Sequence, residues 1–118
     1  MWSVEITDEF ESWWNEQADI VHEDVTAIVD LLEECGPALG RPHSGEIKRS
    51  RHKNMRELRV QSCGEPYRVL YAFDPRRTAV LLLAGCKTGN DRWYVENIPK
   101  ADKLFDELLK ELKAEGAI

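Results

Sequence analysis

The chain has 118 residues, of which 42% are hydrophobic and 32% are charged, and a formal net charge of −6. This composition fits one globular domain over residues 1–118, and a second domain is not expected. The absence of a signal-peptide pattern and of any apolar run of about eighteen residues favours a soluble, cytoplasmic protein with no membrane segment. Cys35, Cys63 and Cys86 lack the paired spacing of zinc or redox motifs, so they are expected to be reduced and buried.

The charges are unevenly distributed along the chain. Residues 1–40 hold eleven Asp and Glu and no Lys or Arg, whereas residues 41–118 hold sixteen basic and eleven acidic residues. Seven of the basic residues lie between Arg41 and Arg59, opposed only by Glu46 and Glu57. Such a segment can neutralise several phosphates if its side chains share a surface, although a solvated strand-and-loop surface explains it too. We expect residues 41–59 and 87–92 to form one positive face.

The first forty-five residues predict a strand, two helices and a loop. Apolar residues alternate from 2 to 6, which indicates a half-buried strand. Thr7 and Asp8 are good N-cap residues, so a helix is expected to begin there. Apolar residues at helical spacing over 21–32 predict a second helix, separated from the first near residue 18, and the Gly-Pro pair at 36–37 ends it. Residues 36–45 hold three Gly and two Pro and are therefore expected to form a loop.

The rest of the chain predicts three strands and a closing helix. One strand is expected from Leu58, and a second from Tyr67 to Phe73. Residues 79–84 are apolar throughout, which is typical of a strand covered on both faces. Apolar residues at helical spacing after Pro99 predict an amphipathic helix. The order β-α-α-β-β-β-α indicates an α+β fold, in which two N-terminal helices pack on an antiparallel-rich sheet and a C-terminal helix closes it.

Several basic and aromatic residues lie where this fold has buried strands. Arg68 interrupts an apolar strand, Lys87 leaves the end of the most buried strand, and Arg92, Trp93 and Tyr94 follow soon after. An arginine in mid-strand is costly to bury without a partner, so it points at a pocket, a phosphate or a carboxylate. A functional role for Arg68 and a structural pairing with an acid of the sheet stay equally open.

Other kinds of chemistry have little support in the sequence. His52 lies among the cations of residues 41–59, and a neutral imidazole there could act as a general base, although a lone surface histidine is more often inert. The sequence has no HxxxH, CxxC or clustered carboxylates, so neither a metal nor a cofactor is expected. The glycines at 85 and 89 do not form a phosphate-binding loop, which argues against hydrolysis of nucleoside triphosphates.

Four motifs resemble the RelE/ParE superfamily of toxins, specifically its phage-derived, HigB-like branch. They are E-L-R at 57–59, Y-R-V-L-Y at 67–71, G-C-K-T at 85–88 with Tyr94 after it, and I-P-K-A-D at 98–102. The resemblance covers most of the chain but is weak before Gly36. It implies a RelE-like toxin domain over residues 1–118 that belongs to a type II toxin–antitoxin system.

The resemblance also implies an activity and two partners. Such toxins are metal-independent endonucleases that cleave mRNA on the ribosome by attack of a ribose 2′-oxygen on the adjacent phosphate. A cognate helix-turn-helix antitoxin is expected to inhibit the enzyme. Two alternatives stay open: a ParE-like toxin that binds a protein target such as DNA gyrase without cleaving nucleic acid, and a phage-derived protein that binds RNA without cutting it. The joint presence of Arg68, Lys87 and Tyr94 favours the endonuclease.

Residue roles can be carried over from the family by position. Arg68 matches the strand arginine that contacts the scissile phosphate, Lys87 the basic residue after the following strand, and Tyr94 the late aromatic that stacks on a base or assists proton transfer. His52 is the fourth catalytic candidate. No histidine follows it, where some relatives carry a catalytic one, so the general base is left open among Lys87, Tyr94 and His52. The residues expected to bind RNA are Lys48, Arg49, Arg51, Lys53, Arg59 and Arg92.

Overall fold

The computed structural model describes residues 1–118 and consists of three α-helices and one five-stranded mixed sheet. The strands are β1 (Val4–Ile6), β2 (Ser44–Glu46), β3 (Arg56–Ser62), β4 (Glu65–Phe73) and β5 (Ala79–Cys86). The helices are α1 (Asp8–Asn15), α2 (Asp19–Cys35) and α3 (Trp93–Ala114). The order across the sheet is β1-β5-β4-β3-β2, in which β1 and β5 are parallel and the other neighbours antiparallel. The predicted α+β class and RelE-like arrangement are confirmed.

Both faces of the sheet are covered by helices. Because successive side chains of a strand point to opposite faces, β5 sends Ala79 and Leu81 to one face and Val80 and Leu82 to the other. The first face packs on α1 and α2 through buried residues that include Phe10, Val25, Leu32, Val69 and Tyr71. The second packs on α3 through buried residues that include Leu70, Trp93, Ile98, Ala101 and Phe105. The prediction that β5 is covered on both faces is therefore confirmed.

The two N-terminal helices begin and end where the sequence predicts. The hydroxyl of Thr7 accepts a hydrogen bond from the backbone N–H of Phe10 at 3.1 Å, which caps α1. The second helix ends at Cys35, and Gly36 follows with a φ of 57°, a conformation that glycine adopts without strain. None of the three helices has both the length and the apolar character needed to cross a membrane.

Two predicted boundaries are wrong. The closing helix begins at Trp93 and contains Pro99, which the sequence placed before the helix. The N-terminal turns form because Trp93 and Ile98 are buried against the sheet, and that burial offsets the hydrogen bond that Pro99 cannot donate. Likewise, Ser44 and Gly45 belong to β2 instead of the predicted loop, because they pair with the edge of β3.

The expectation of three buried thiols is also wrong. Cys35 and Cys63 are exposed, and Cys86 is half-buried. The first is the last residue of α2, and the second lies in the tight turn between β3 and β4 with a φ of 52°. Both positions are at the surface because the chain reverses direction there.

Candidate active site

A two-residue turn between β3 and β4 sets the register that builds the site. Cys63 and Gly64 connect the strands, so Arg59 lies opposite Arg68. Side chains two residues apart share a face, so Glu57 and Arg59 of β3 lie beside Arg68 of β4 on the face covered by α3.

The carboxylate of Glu57 is the centre of this arrangement, and its side chain is only 5% exposed. The hydroxyl of Tyr94, in the first turn of α3, donates to Oε1 of Glu57 at 2.6 Å. Nε of Arg59 donates to Oε2 at 3.2 Å, and Nε of Arg68 lies 3.6 Å from Oε1. Nζ of Lys87 lies 5.0 Å from the centre of the Tyr94 ring. We call these five residues the Glu57 cluster.

Two arginines contact the one carboxylate of the Glu57 cluster and Lys87 lies on the Tyr94 ring, so the cluster has an excess of positive charge. Nε of Arg68 is buried without a hydrogen-bond partner, while Nη1 donates to the carbonyl of Tyr67 at 2.9 Å. Burial raises the pKa of Tyr94, and the hydrogen bond to Glu57 raises it further, so the phenol keeps its proton at neutral pH. Such a cluster can bind an anion, accept a proton and donate one.

Two glycines leave room for side chains that pack in or next to the Glu57 cluster. A Cβ on Gly45 of β2 would lie 2.5 Å from Nη2 of Arg59, so only glycine lets this guanidinium rest on β2. A Cβ on Gly85 of β5 would lie 2.7 Å from Nε1 of Trp93, the residue that precedes Tyr94. The first helical turn therefore sits close to the sheet because residue 85 has no side chain.

The structure places His52 away from the Glu57 cluster. Its Nε2 lies 2.7 Å from Oδ1 of Asp106, and its ring packs edge-on against Phe105 at 4.8 Å. Asp106 is twelve residues after Tyr94 in α3, which corresponds to about 18 Å along the helix axis. Three of the four catalytic candidates, Arg68, Lys87 and Tyr94, are thus brought together, and the fourth is not.

Arg51 shares Asp106 of α3 with His52 and also contacts Asp102. Its Nη2 lies 2.5 Å from Oδ2 of Asp106, and its backbone N–H donates to Oδ2 of the buried Asp102 at 3.1 Å. Arg51 and, to a smaller extent, His52 lower the pKa of Asp106 through their hydrogen bonds. The segment that precedes β3 is therefore held against the middle of α3.

The remaining basic candidates differ in exposure. Lys48, Arg49, Lys53 and Arg92 are exposed, whereas Arg59 belongs to the Glu57 cluster. Arg56 points to the opposite face of the sheet, where its Nη2 donates to the carbonyl of Leu39 at 3.1 Å. The expectation that residues 41–59 and 87–92 form one positive face is therefore wrong for Arg56. No group of three or more His, Cys, Asp or Glu side chains is arranged to bind a metal ion.

Glu57 is the site residue that sequence reasoning missed. The sequence predicts no chemical role for it: it enters as a charge that opposes the basic segment and as the first residue of the E-L-R motif. The two-residue turn at 63–64 was a usable signal, because it fixes the register of β3 and β4 and so places Glu57 beside Arg68.

Comparison with known proteins identifies the family of this chain. Residues 12–106 match the family described as "Phage derived protein Gp49-like (DUF891)". The chain belongs to this family, and the predicted resemblance to HigB-like toxins is confirmed.

Two relatives come from Mycobacterium tuberculosis. The protein named "Putative toxin HigB2" is 42% identical over 114 residues, which cover 95% of this chain and 56% of that protein. The protein named "Putative toxin HigB3" is 50% identical over 86 residues, which cover 72% of this chain and 74% of that protein. The chain thus spans little more than half the length of the first relative.

Proposed function

We propose that this chain is the toxin of a type II toxin–antitoxin pair and that it cleaves mRNA on the ribosome. The observation that carries the proposal is the Glu57 cluster, in which Arg59, Arg68 and Tyr94 contact one buried carboxylate and Lys87 lies on the Tyr94 ring. The names of the two relatives support the role of a toxin. The ribosome and a helix-turn-helix antitoxin enter the proposal through the resemblance to the toxin superfamily.

In the proposed reaction, the 2′-oxygen of a ribose attacks the adjacent phosphorus and the bond from phosphorus to the 5′-oxygen breaks. Glu57 accepts the proton of the 2′-hydroxyl. Arg59 and Arg68 stabilise the negative charge that grows on the phosphorane. Tyr94, whose raised pKa keeps it protonated, donates a proton to the leaving 5′-oxygen, with Lys87 beside its ring. The products are a 2′,3′-cyclic phosphate and a 5′-hydroxyl.

The contacts within the cluster explain how Glu57 becomes available to the substrate. Arg59 is 33% exposed and Arg68 is 15% exposed, so both guanidinium groups can be reached from solvent. A phosphate competes with the Glu57 carboxylate for these two cations, because both anions accept the same donors. Binding of the scissile phosphate therefore releases a carboxylate oxygen towards the 2′-hydroxyl. A carboxylate held in this way suits the base better than His52, which is paired with Asp106.

Cleavage of ribosome-bound mRNA by the purified chain tests the proposal. The protein is treated with EDTA and desalted, then added to intact ribosomes that hold a defined mRNA, and the new ends are mapped by primer extension. We expect cleavage with a cyclic phosphate end, and a loss of about a hundredfold or more in Glu57→Gln. Intact mRNA together with inhibition of DNA gyrase would instead identify a ParE-like toxin. Binding to ribosomes with no cleavage would leave a non-catalytic RNA-binding protein.

A further inference from the structure

An open cleft of ≈ 600 Å³ adjoins the Glu57 cluster along the edge of β3. Arg59 and Arg68 belong to the cluster and also line this cleft, so a ligand whose phosphate lies on the two arginines reaches directly into it. The cleft is also lined by Pro42, His43, Gln61 and Pro66. Volumes of this size are typical of sites for small organic groups.

The backbone of Gln61 faces the cleft with free hydrogen-bonding groups. The N–H of Arg59 donates to the carbonyl of His43 at 2.9 Å, so it points away from β4. In an antiparallel pair this direction repeats every second residue, and the N–H and C=O of Gln61 therefore point the same way. The pairing of β2 with β3 extends only to Leu58, so no strand covers Gln61. Pro66, which lies opposite Gln61, has no N–H, as this pattern allows.

The chemistry of the cleft matches a nucleobase. Gln61 offers one backbone donor and one acceptor, which can pair with the edge of a base. His43 makes no side-chain hydrogen bond, so its ring is free to stack or to bond, and the two proline rings provide apolar surface. A single uncovered residue is too short for a protein segment to add as a strand, and the adjacent arginines favour an anionic ligand.

We propose that this cleft is a nucleobase subsite for single-stranded RNA. The base next to the scissile phosphate enters the cleft, hydrogen-bonds to the backbone of Gln61 and packs on His43, while its phosphate lies on Arg59 and Arg68. This inference rests on the proposed function and adds to it the part of the substrate that selects the cleavage position.

The test compares Gln61→Pro with Gln61→Ala. Both variants lack the amide side chain, but only Gln61→Pro lacks the backbone N–H that faces the cleft, and it loses no bond to β4. Cleavage is measured on ribosomes that hold mRNA with either a normal or an abasic nucleotide beside the scissile phosphate. On normal mRNA we expect kcat/KM of Gln61→Pro to be about tenfold below that of Gln61→Ala. On abasic mRNA we expect the two variants to be equal.

His43→Ala and His43→Phe provide a second comparison that does not alter a strand. We expect about a tenfold loss of kcat/KM in His43→Ala and little loss in His43→Phe, which keeps a stacking surface. Equal losses on normal and abasic mRNA in all variants would overturn the subsite while leaving the nuclease intact. Absence of cleavage by the wild-type protein would overturn both proposals. Variants that cleave normally but no longer bind a protein inhibitor would assign the cleft to a protein partner instead.

Discussion

Replacing Gly45 with alanine tests whether the position of Arg59 matters for cleavage. The added Cβ would lie 2.5 Å from Nη2 of Arg59, whereas ordinary contact requires about 3.5 Å. The guanidinium must therefore retreat by about 1 Å, a displacement that can reduce the rate of an enzyme by about a hundredfold. Stability should change little, because the displaced atom is the end of a flexible side chain and the φ of Gly45 is not positive. We expect the free energy of unfolding to change by less than about 1 kcal/mol.

The assay combines urea unfolding with cleavage of ribosome-bound mRNA. Gly40→Ala is the matched control, since a Cβ there meets only a backbone oxygen at 4.0 Å and Gly40 lies outside the Glu57 cluster. We expect this control to cleave at the wild-type rate. Wild-type cleavage by Gly45→Ala would show that the placement of Arg59 over β2 is not required. A large loss of stability in Gly45→Ala would contradict the view that only a side-chain end has to move.

Substitutions at three further positions address the cluster and Asp106 of α3. Arg68→Ala should slow cleavage by about a hundredfold or more but destabilise the fold by only about 1–3 kcal/mol, because Glu57 keeps its other partners, and Arg68→Lys should not restore full activity. Thermal unfolding and cleavage of both variants check this, and a fully active Arg68→Ala protein would contradict it. The pKa of Tyr94 is raised above its ordinary 10.0, so the folded state keeps a proton that the unfolded state loses, and stability should fall as pH rises above that value. Urea unfolding between about pH 9 and 11 should show a smaller fall in Tyr94→Phe than in wild type. The pKa of Asp106 is lowered below its ordinary 3.8, mainly by Arg51, so its stabilising effect is present above that value and is lost as pH falls through the lowered pKa. In Asp106→Asn the free energy of unfolding should fall less than in wild type as the pH is lowered. A fall equal to that of wild type would show that the ion pair does not contribute.

Much of the fold could be predicted because its elements carry strong local patterns. Helical spacing, the cap at Thr7 and the Gly-Pro pair at 36–37 fix α1 and α2. The two boundaries that sequence missed depend on contacts between distant residues. Nothing in the three residues of β2 indicates a strand until the edge of β3 is present. The start of α3 depends on the burial of Trp93. Because proline is common at the first position of a helix, the local pattern alone places that start near Pro99.

Only part of the candidate site could be predicted, because some of its contacts also join residues that are distant in sequence. Arg68 was recognisable because a charged residue interrupts an apolar strand. The importance of Glu57 depends on its strand register, which places it between two arginines that are close in space. His52 looked like a member of the site because cations surround it in sequence. Its actual neighbour, Asp106, is contributed by α3 and lies 54 residues away along the chain.

The separation of α1 and α2 from the Glu57 cluster by the sheet has a consequence for the kinetics of association. Residues 1–40 carry eleven acids, so at long range the protein is repelled by a polyanion such as RNA, in keeping with its net charge of −6. Within a Debye length, about 10 Å at 0.1 M salt, RNA is affected mainly by the charges of the face that it meets. Added salt therefore weakens the distant repulsion and the close attraction together. Association with RNA should be fastest at an intermediate ionic strength, in contrast to a uniformly basic protein, whose association slows steadily as salt is added.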